Sequence, residues 1–320
     1  MTEHGMRGHG VVAHGEEFES HRQVLLGLAY RLLGSRWDAE DVVQDAYLRW
    51  RRVDRAEVRD ARGFLITVVS RLAIDQLRSA RVTREAYPGP WLPEPVATDA
   101  FGPLDTAELR DTLAYATVHL MERLTPPERA VFVLREAFQL PYEEIASIVD
   151  ASVANCRQLY SRAGRHLASG RDRFPLAADE HADLLARFLE AAQGGDLGAL
   201  ADLLAEDVVA WSDGGGKVSA ARRPVIGRAK VLAFLTGLLT RYAVEAFEIV
   251  DVNGGPAVSL TTDGRRQIAL VSFRNGLVEA VYTIRNPDKL ARFFGGTQTR
   301  ATAAGPDPRR PVRRVVAPGP

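Results

Sequence analysis

Several things are scarce or missing in this 320-residue sequence. It has one cysteine, Cys156, which excludes an internal disulfide. No apolar run approaches the roughly 20 residues that span a bilayer, and the N-terminal stretch MTEHGMRGHGVVAHGEE lacks the apolar core of a signal peptide. Lysine plus arginine and aspartate plus glutamate are equal, 41 each, which argues against a general nucleic-acid binder. These absences predict a cytoplasmic protein with no membrane partner.

The balanced total conceals a segregation of charge along the chain. Residues 49–84 carry ten arginines against four acidic residues, and residues 153–173 carry five arginines against one. Between them, residues 85–111 carry six acidic residues against one arginine. Local patches of this kind matter more for binding than the total charge. The sequence therefore predicts two basic regions separated by an acidic stretch.

The acidic stretch has the composition of a linker, which we place at residues 85–108. Four prolines between residues 88 and 95 predict an extended chain. A solvated spacer is one interpretation. However, the apolar pair Trp91 and Leu92 would be costly in water, so we expect it to dock on another surface, such as the C-terminal domain.

Residues 142–167 have the pattern of a helix, a turn and a second helix. Asp150 and Ala151 suit the turn, and Ser152 suits the N-cap of the second helix. The apolar residues of this second helix recur every three or four positions, namely Val153, Cys156, Tyr160, Ala163 and Leu167. Its other face carries groups that can contact base edges and phosphates in a major groove. These are Asn155, Arg157, Gln158, Ser161, Arg162 and Arg165. The alternative is an ordinary amphipathic surface helix.

Residues 38–50 predict another amphipathic helix, with Asp38 as its cap. Its apolar residues are Ala39, Val42, Val43, Ala46 and Trp50. The opposite side is an acidic strip that suits a basic protein partner better than DNA. It consists of Glu40, Asp41, Gln44 and Asp45. The arginine-rich helix that follows leaves Arg62, Arg71, Arg78 and Arg81 available to phosphate.

The order of these segments resembles a bacterial sigma factor of the extracytoplasmic-function class. Residues 16–84, with the run FLITVVSRLAIDQLRS, resemble its domain two, a helical bundle. Residues 109–170, with LTPPERAVFVLREAF and the helix-turn-helix, resemble its domain four. This chain has Arg71 where members of the family often have asparagine, and Gly164 where they have a basic residue. These differences leave the promoter sequence preference open.

This resemblance implies that the chain binds core RNA polymerase and promoter DNA. The acidic strip would contact the polymerase clamp, and Asn155, Arg157, Gln158, Ser161, Arg162 and Arg165 would read the minus 35 element. Residues between Arg51 and Arg62 would capture an unstacked base of the minus 10 element, while Arg71, Arg78 and Arg81 would hold the DNA backbone. The DNA contacts near minus 10 would come from Arg51, Arg52, Arg55, Arg59 and Arg62.

Residues 181–295 predict a third domain that combines a helix with a sheet. A helix at 181–194 is followed by alternating strand-like runs separated by glycine-bearing turns, which indicates a curved antiparallel sheet. The block resembles the cone-shaped α+β SnoaL-like domain. Together with WLPEP at 91–95, DGGGK at 213–217 and NPDKL at 286–290, it resembles extracytoplasmic-function sigma factors with a fused SnoaL-like extension. The predicted fold is therefore multidomain, two all-α domains and one α+β domain, with residues 1–15 and 296–320 disordered.

The resemblance implies that the C-terminal domain is a built-in regulator that takes the place of a separate anti-sigma protein. We expect its motifs to form contacts that set the spacing of domains two and four, with Asp288 and Lys289 projecting from the cone. The residues concerned are Trp91, Leu92, Asp213, Gly214, Gly215, Gly216, Lys217, Asn286, Pro287, Asp288, Lys289 and Leu290.

Two alternatives stay open at this point. One is a ligand-sensing helix-turn-helix regulator, against which the acidic strip argues. The other is an isomerase or hydratase fused to a DNA-binding part, against which we set the lack of any histidine after His181. We expect no catalytic activity, no cofactor and no metal site, while an unknown small-molecule ligand of the cone is left open.

Overall fold

The computed structural model describes residues 6–54, 57–102, 106–168 and 178–295. Within these residues the chain forms two compact units. The first contains the described residues up to Glu85 and those from Thr98 to residue 168. The second contains Ala86–Ala97 and residues 178–295. The predicted linker is therefore divided, because its first part belongs to the second unit and its last part to the first.

The first unit begins with a bundle of α1 (Met6–Leu33), α2 (Arg36–Trp50) and α3 (Ala61–Glu85). The five apolar residues predicted for α2 are all buried. The N-cap is Ser35, whose side chain accepts a hydrogen bond from the backbone N–H of Asp38 at 3.2 Å. The cap assigned to Asp38 was wrong, because a serine three residues earlier is also a strong cap.

The start of α1 also differs from the prediction. The helix begins at Met6, so residues 6–15 are helical where disorder was predicted. No proline interrupts this stretch, and each residue added to an existing helix gains a backbone hydrogen bond. Residues 296–320, the predicted disordered tail, lie outside the described residues.

The rest of the first unit is a short 3₁₀ helix (Thr98–Phe101) followed by α4 (Ala107–Leu113), α5 (Tyr115–Met121), α6 (Pro126–Glu136), α7 (Tyr142–Val149) and α8 (Val153–Ala168). A capping box of Thr125 and Glu128 starts α6. Between α7 and α8, Asp150 adopts a left-handed conformation (φ 54°), and Ser152 accepts a hydrogen bond from the N–H of Asn155 at 3.1 Å. The predicted helix-turn-helix is present. On its packed face Cys156, Ala163 and Leu167 are buried as predicted, whereas Val153 and Tyr160 are half-buried, and the prediction missed the buried Leu159.

Buried arginines join the helices of the two halves of this unit. Arg31 on α1 is 2% exposed and donates to the Thr112 hydroxyl (2.9 Å) and the Leu109 carbonyl (2.7 Å). Burial lowers the pKa of Arg31 to about 10. Arg129 on α6 donates to the Arg31 carbonyl at 2.9 Å. These bonds give hydrogen-bond partners to two charged groups that would be very costly to bury alone.

A shared carboxylate completes the network. Glu122 pairs with both Arg84 at the end of α3 and Arg129 on α6. Arg84 also donates to the Leu33 carbonyl, and burial lowers the pKa of its guanidinium despite the charge of Glu122. Helices of the predicted domains two and four are thus tied together by hydrogen-bonded charges.

The second unit is an α+β domain. It contains α9 (Ala178–Gly194), α10 (Leu197–Leu203), β1 (Leu204–Asp213), β2 (Val225–Ile226), α11 (Arg228–Arg241), β3 (Val244–Val252), β4 (Gly255–Thr262), β5 (Arg265–Arg274), β6 (Leu277–Ile284) and α12 (Pro287–Gly295). The strand order is β2-β1-β6-β5-β4-β3, and only the β1–β6 pair is parallel. Apolar side chains of α9, α10 and α11 pack with those of the strands in one core.

Three two-residue turns connect the last four strands. Each has positive φ at both positions, in Asn253–Gly254, Asp263–Gly264 and Asn275–Gly276. Turns of this kind match the twist of the paired strands, and asparagine or aspartate followed by glycine adopts them most easily. The predicted turns and the predicted α+β fold are confirmed. The sheet is mixed rather than wholly antiparallel as predicted, because the long connection from β1 through α11 and the later strands lets β6 return alongside β1 in the same direction.

Candidate functional site

The outer face of α8 is an open polar surface of the first unit. All six residues predicted to contact DNA on this helix are exposed. Five of them line a shallow groove of about 360 Å³, namely Arg157, Gln158, Ser161, Arg162 and Arg165. The face therefore combines three cations with amide and hydroxyl groups, the combination that phosphate and base-edge contacts require.

The cations on this face are not equivalent. Arg162 lies 3.3 Å from the carboxylate of Glu128, which is 5% exposed. Burial would raise the pKa of Glu128, but hydrogen bonds from Thr125 and the nearby His166 and Arg162 bring that pKa below its usual value. In the described part of the chain, Arg157 and Arg165 form no ion pair, so they are the freer cations.

The arginines of α3 and the preceding loop are only partly available. Exposed positions are Arg51, Arg52, Arg59, Arg62, Arg71 and Arg78. Arg71 donates to the carbonyl of Ser147 on α7 at 2.8 Å, and Arg78 lies 3.3 Å from Asp75. Residue Arg55 and the side chain of Arg81 lie outside the described residues. The other four exposed arginines lie on and before the start of α3, namely Arg51, Arg52, Arg59 and Arg62.

The acidic strip of α2 lies at the surface as predicted. Asp41, Gln44 and Asp45 are exposed, while Glu40 is half-buried and pairs with Arg36 at 2.8 Å. Sequence reasoning missed two large apolar residues on this helix, Trp37 and Leu48, which are 46% and 43% exposed. The spacing 37, 41, 44, 48 places them on one helical stripe with Asp41 and Gln44. Asp41 and Gln44 therefore lie between two exposed apolar residues on the surface of α2.

In the second unit the three motifs converge on Asp213, the last residue of β1. Its side chain is fully buried. It accepts hydrogen bonds from the Tyr87 hydroxyl (2.7 Å), the Leu92 N–H (3.1 Å), the Gly215 N–H (3.0 Å) and the Lys289 ammonium (2.7 Å). One carboxylate therefore connects WLPEP, DGGGK and NPDKL.

Lys289 is the positive partner in this cluster. It is buried on α12, also donates to the Leu92 carbonyl, and lies 4.0 Å from the ring centroid of Trp91 and 4.9 Å from that of Tyr87. The expectation that Lys289 projects from the cone is wrong, since its ammonium turns inward to a buried carboxylate. Asp288 alone is exposed, and it pairs with Lys217 at 2.6 Å.

Asn286 and the glycine loop close the cluster. Asn286 donates to the Tyr87 hydroxyl at 2.8 Å and accepts from the N–H of Asp288 at 3.1 Å, which caps α12 ahead of Pro287. Gly215 has φ 61°, and a Cβ there would lie 2.3 Å from the Asn286 amide. Burial and the bond to Asp213 raise the pKa of Tyr87. Sequence reasoning missed Tyr87, although it is a second aromatic residue in the proline-rich stretch.

The same stretch also pairs with the sheet at Asn253. The side chain of Asn253 accepts from the Val96 N–H (3.1 Å), and its own N–H donates to the Val96 carbonyl (2.8 Å). Ala97 forms a bridge with Val252 at the end of β3. Residues 86–97 are therefore held at both ends by the C-terminal domain.

Groups that could suggest catalysis are engaged elsewhere. His181 on α9 lies 3.2 Å from the Val271 carbonyl and meets the Phe273 ring edge-on at 5.3 Å. Burial lowers the pKa of His181. Cys156 is buried, which raises the pKa of its thiol. Among the described residues, no group of three or more His, Cys, Asp or Glu side chains could hold a metal ion, and no helix is apolar and long enough to cross a bilayer.

Comparison with known proteins identifies the domains. Residues 18–83 match Sigma-70 region 2, residues 116–167 match Sigma-70 region 4, and residues 185–287 match the SnoaL-like domain. The fold thus defines a sigma-70-type factor with a C-terminal SnoaL-like domain.

Individual relatives agree with this class. The chain is 39% identical over 304 residues to the ECF RNA polymerase sigma factor SigJ of Mycobacterium tuberculosis, covering 91% of this chain and 96% of that protein. It is 36% identical over 189 residues to the probable ECF sigma factor SigI of the same species, covering 58% and 65%. The crystal structure of M. tuberculosis SigJ superposes with a TM-score of 0.71 and 36% identity, over 86% of this chain and 98% of that one. The chain belongs to the extracytoplasmic-function RNA polymerase sigma factors and directs promoter-specific initiation of transcription.

Proposed function

We propose that three exposed faces of the first unit carry the sigma activity. The observation that supports this most directly is the face of α8, where the groove-forming side chains are exposed and two of the three arginines lack an acidic partner in the described structure. In this proposal α8 reads the minus 35 element, and the arginines on and before the start of α3 contact the minus 10 region. The chain itself performs no covalent chemistry and works in the cytoplasm with the polymerase.

The acidic strip of α2 is the proposed polymerase contact. Its exposed carboxylates fit a basic surface, and the apolar pair Trp37 and Leu48 adds area that a partner can bury. Reversing the charge at Asp41 and Asp45 leaves the buried face of α2 unchanged, so folding is expected to survive.

The test is affinity of the double variant Asp41→Arg/Asp45→Arg for core RNA polymerase. We expect a fall of at least about tenfold, since several exposed attractions become repulsions. The matched control is Glu190→Arg/Asp202→Arg, the same charge change at exposed positions of the second unit. Equal affinity of both variants and the wild type would remove the acidic strip from the interface.

The C-terminal domain is proposed to regulate this activity through residues 86–97. These residues are joined covalently to α3 on one side and to the helices of domain four on the other. Asp213, Lys289 and Asn253 hold them on the C-terminal domain. While residues 86–97 are docked on the C-terminal domain, less of the linker is free to extend. This limits how far the two sigma domains can separate to reach both promoter elements. A change of about 1 to 3 kcal/mol in docking would change promoter occupancy several-fold or more.

Reconstituted transcription tests the regulatory proposal. Truncation after Gly170 removes the docking surface and is expected to change the rate of initiation strongly at unchanged start sites. Truncation after Gly295 removes only the C-terminal tail and is expected to have little effect. If both truncated proteins transcribe like the full chain, the domain is a passenger, and a small-molecule ligand of the cone becomes the better hypothesis.

A further inference from the structure

Tyr142, the first residue of α7, has an aromatic ring beside the exposed polar face of α8. Its half-buried ring lies close to two guanidinium groups. The Cζ atom of Arg157 is 5.4 Å from the ring centroid, and that of Arg135 is 5.1 Å away. Both distances are within the range of about 6 Å in which a cation is attracted by an aromatic ring.

The ring is held in place by residues of the neighbouring helices. Tyr142 meets Tyr160 of α8 edge-on at 6.2 Å, and Tyr160 stacks on Phe132 of α6 at 6.2 Å. The Tyr160 hydroxyl donates to Glu136, and Arg135 donates to the Leu140 carbonyl at 2.9 Å. The aromatic surface offered to Arg157 is therefore fixed by three helices.

Arg157 has little else to orient it. Its side chain is exposed, and within the described part of the chain its guanidinium forms no hydrogen bond or ion pair. All five N–H donors stay available for a ligand. Two-pronged recognition of a guanine edge requires the planar guanidinium to approach in one orientation, whereas a phosphate accepts many.

We propose that Tyr142 is a specificity-determining positioning residue for minus 35 recognition. Its ring holds the guanidinium of Arg157 in the orientation that reads a base edge, without contacting the base itself. The inference rests on the proposed reading role of Arg157. Arg165 has no aromatic contact in the described structure, so its contribution is independent of Tyr142.

The expected effect follows from the strength of the contact. An exposed cation–π contact corresponds to about a two- to five-fold change in an equilibrium constant. Removing the ring is therefore expected to lower discrimination by that factor at the base position that depends on Arg157, and to leave other positions unchanged.

The experiment uses the full chain bound to core RNA polymerase and a promoter library randomised through the minus 35 element. Bound and unbound sequences are counted for the wild type, Arg157→Ala, Tyr142→Leu, Tyr142→Phe and the double variant Tyr142→Leu/Arg157→Ala. We expect Arg157→Ala to relax one or two positions and Tyr142→Leu to relax the same positions partly. Tyr142→Phe keeps the aromatic face and is expected to retain the wild-type preference, and the double variant is expected to match Arg157→Ala.

The results separate the inference from the proposal beneath it. If Arg157→Ala leaves every base preference unchanged, the reading role fails and the inference fails with it. If Arg157→Ala relaxes a position but Tyr142→Leu weakens all sequences equally, Tyr142 is only structural and the inference is overturned. Should the leucine variant fail to fold, pentafluorophenylalanine at position 142 keeps the ring shape but removes its attraction for cations. Full discrimination in that variant would also overturn the inference.

Discussion

The buried pair of Asp213 and Lys289 gives the sharpest test of how residues 86–97 are held. The variant Lys289→Met keeps most of the side-chain volume and removes the ammonium. Asp213 then stays buried with three uncharged donors, from Tyr87, Leu92 and Gly215. Removing one partner of a buried ion pair costs about 3 to 5 kcal/mol, and the remaining donors favour the lower end. A loss of about 3 kcal/mol raises the undocked population of residues 86–97 about a hundredfold.

Hydrogen exchange measures this population directly. The N–H of Leu92 is bonded to Asp213 and that of Val96 to Asn253, so both exchange slowly while the stretch is docked. In Lys289→Met we expect peptides covering residues 86–97 to exchange about a hundredfold faster. The control is Lys217→Met, which breaks the exposed pair with Asp288, whose side chains are 55% and 63% exposed. Exposed ion pairs contribute about 1 kcal/mol or less to stability, so in Lys217→Met the exchange rate of residues 86–97 is expected to change by less than about sixfold.

A third variant tests the cause. Asp213→Asn/Lys289→Met removes both charges and keeps an oxygen that can accept from Leu92, so it is expected to recover most of the protection. The reasoning is refuted if Lys289→Met and Lys217→Met exchange alike, because the buried charge pair would then not hold the stretch.

Three further outcomes are expected. Glu122→Gln leaves Arg84 and Arg129 without their shared counter-charge, so we expect the free energy of unfolding of the first unit in urea to fall by about 3 kcal/mol. The control Asp75→Asn removes an exposed ion pair and is expected to change it very little, and equal urea midpoints for the two variants would contradict the prediction. Arg157→Ala or Gln158→Ala is expected to weaken promoter binding by about 1 to 3 kcal/mol and to relax the base preference at particular minus 35 positions, while Arg165→Ala weakens binding to all sequences evenly. If competition binding shows equal losses on every sequence for all three variants, α8 contacts only phosphates. Burial lowers the pKa of His181 in the folded protein below its ordinary value of about 6.5. Below that pH the unfolded chain binds a proton at His181 more readily than the folded one, so the free energy of unfolding is unaffected above about pH 6.5 and falls as the pH drops below it. The melting temperature of the second unit is therefore expected to fall on acidification in the wild type and to fall less in His181→Phe, and parallel curves would exclude His181 as the cause.

The sequence alone determined the elements whose pattern is local. The spacing of Val42, Val43 and Ala46 identified the buried face of α2, and Ser152 marked the start of α8. The turn at Asn275 and Gly276 was predictable because few residue pairs adopt two positive φ angles easily. In each case the deciding interactions lie within a few residues, so side-chain periodicity and backbone preference suffice.

The tertiary structure alone decided which distant groups meet. Asn286 and Tyr87 are 199 positions apart, and Lys289 and Asp213 are 76 apart. An isolated lysine near a helix start is usually solvated, so its burial against Asp213 could not be predicted from its neighbours. The same holds for Arg31, whose partners on α4 lie about 80 residues further along the chain. Local patterns specify that a polar group is present, but only the packed fold excludes water from it and supplies its partner, and this exclusion makes the contact strong.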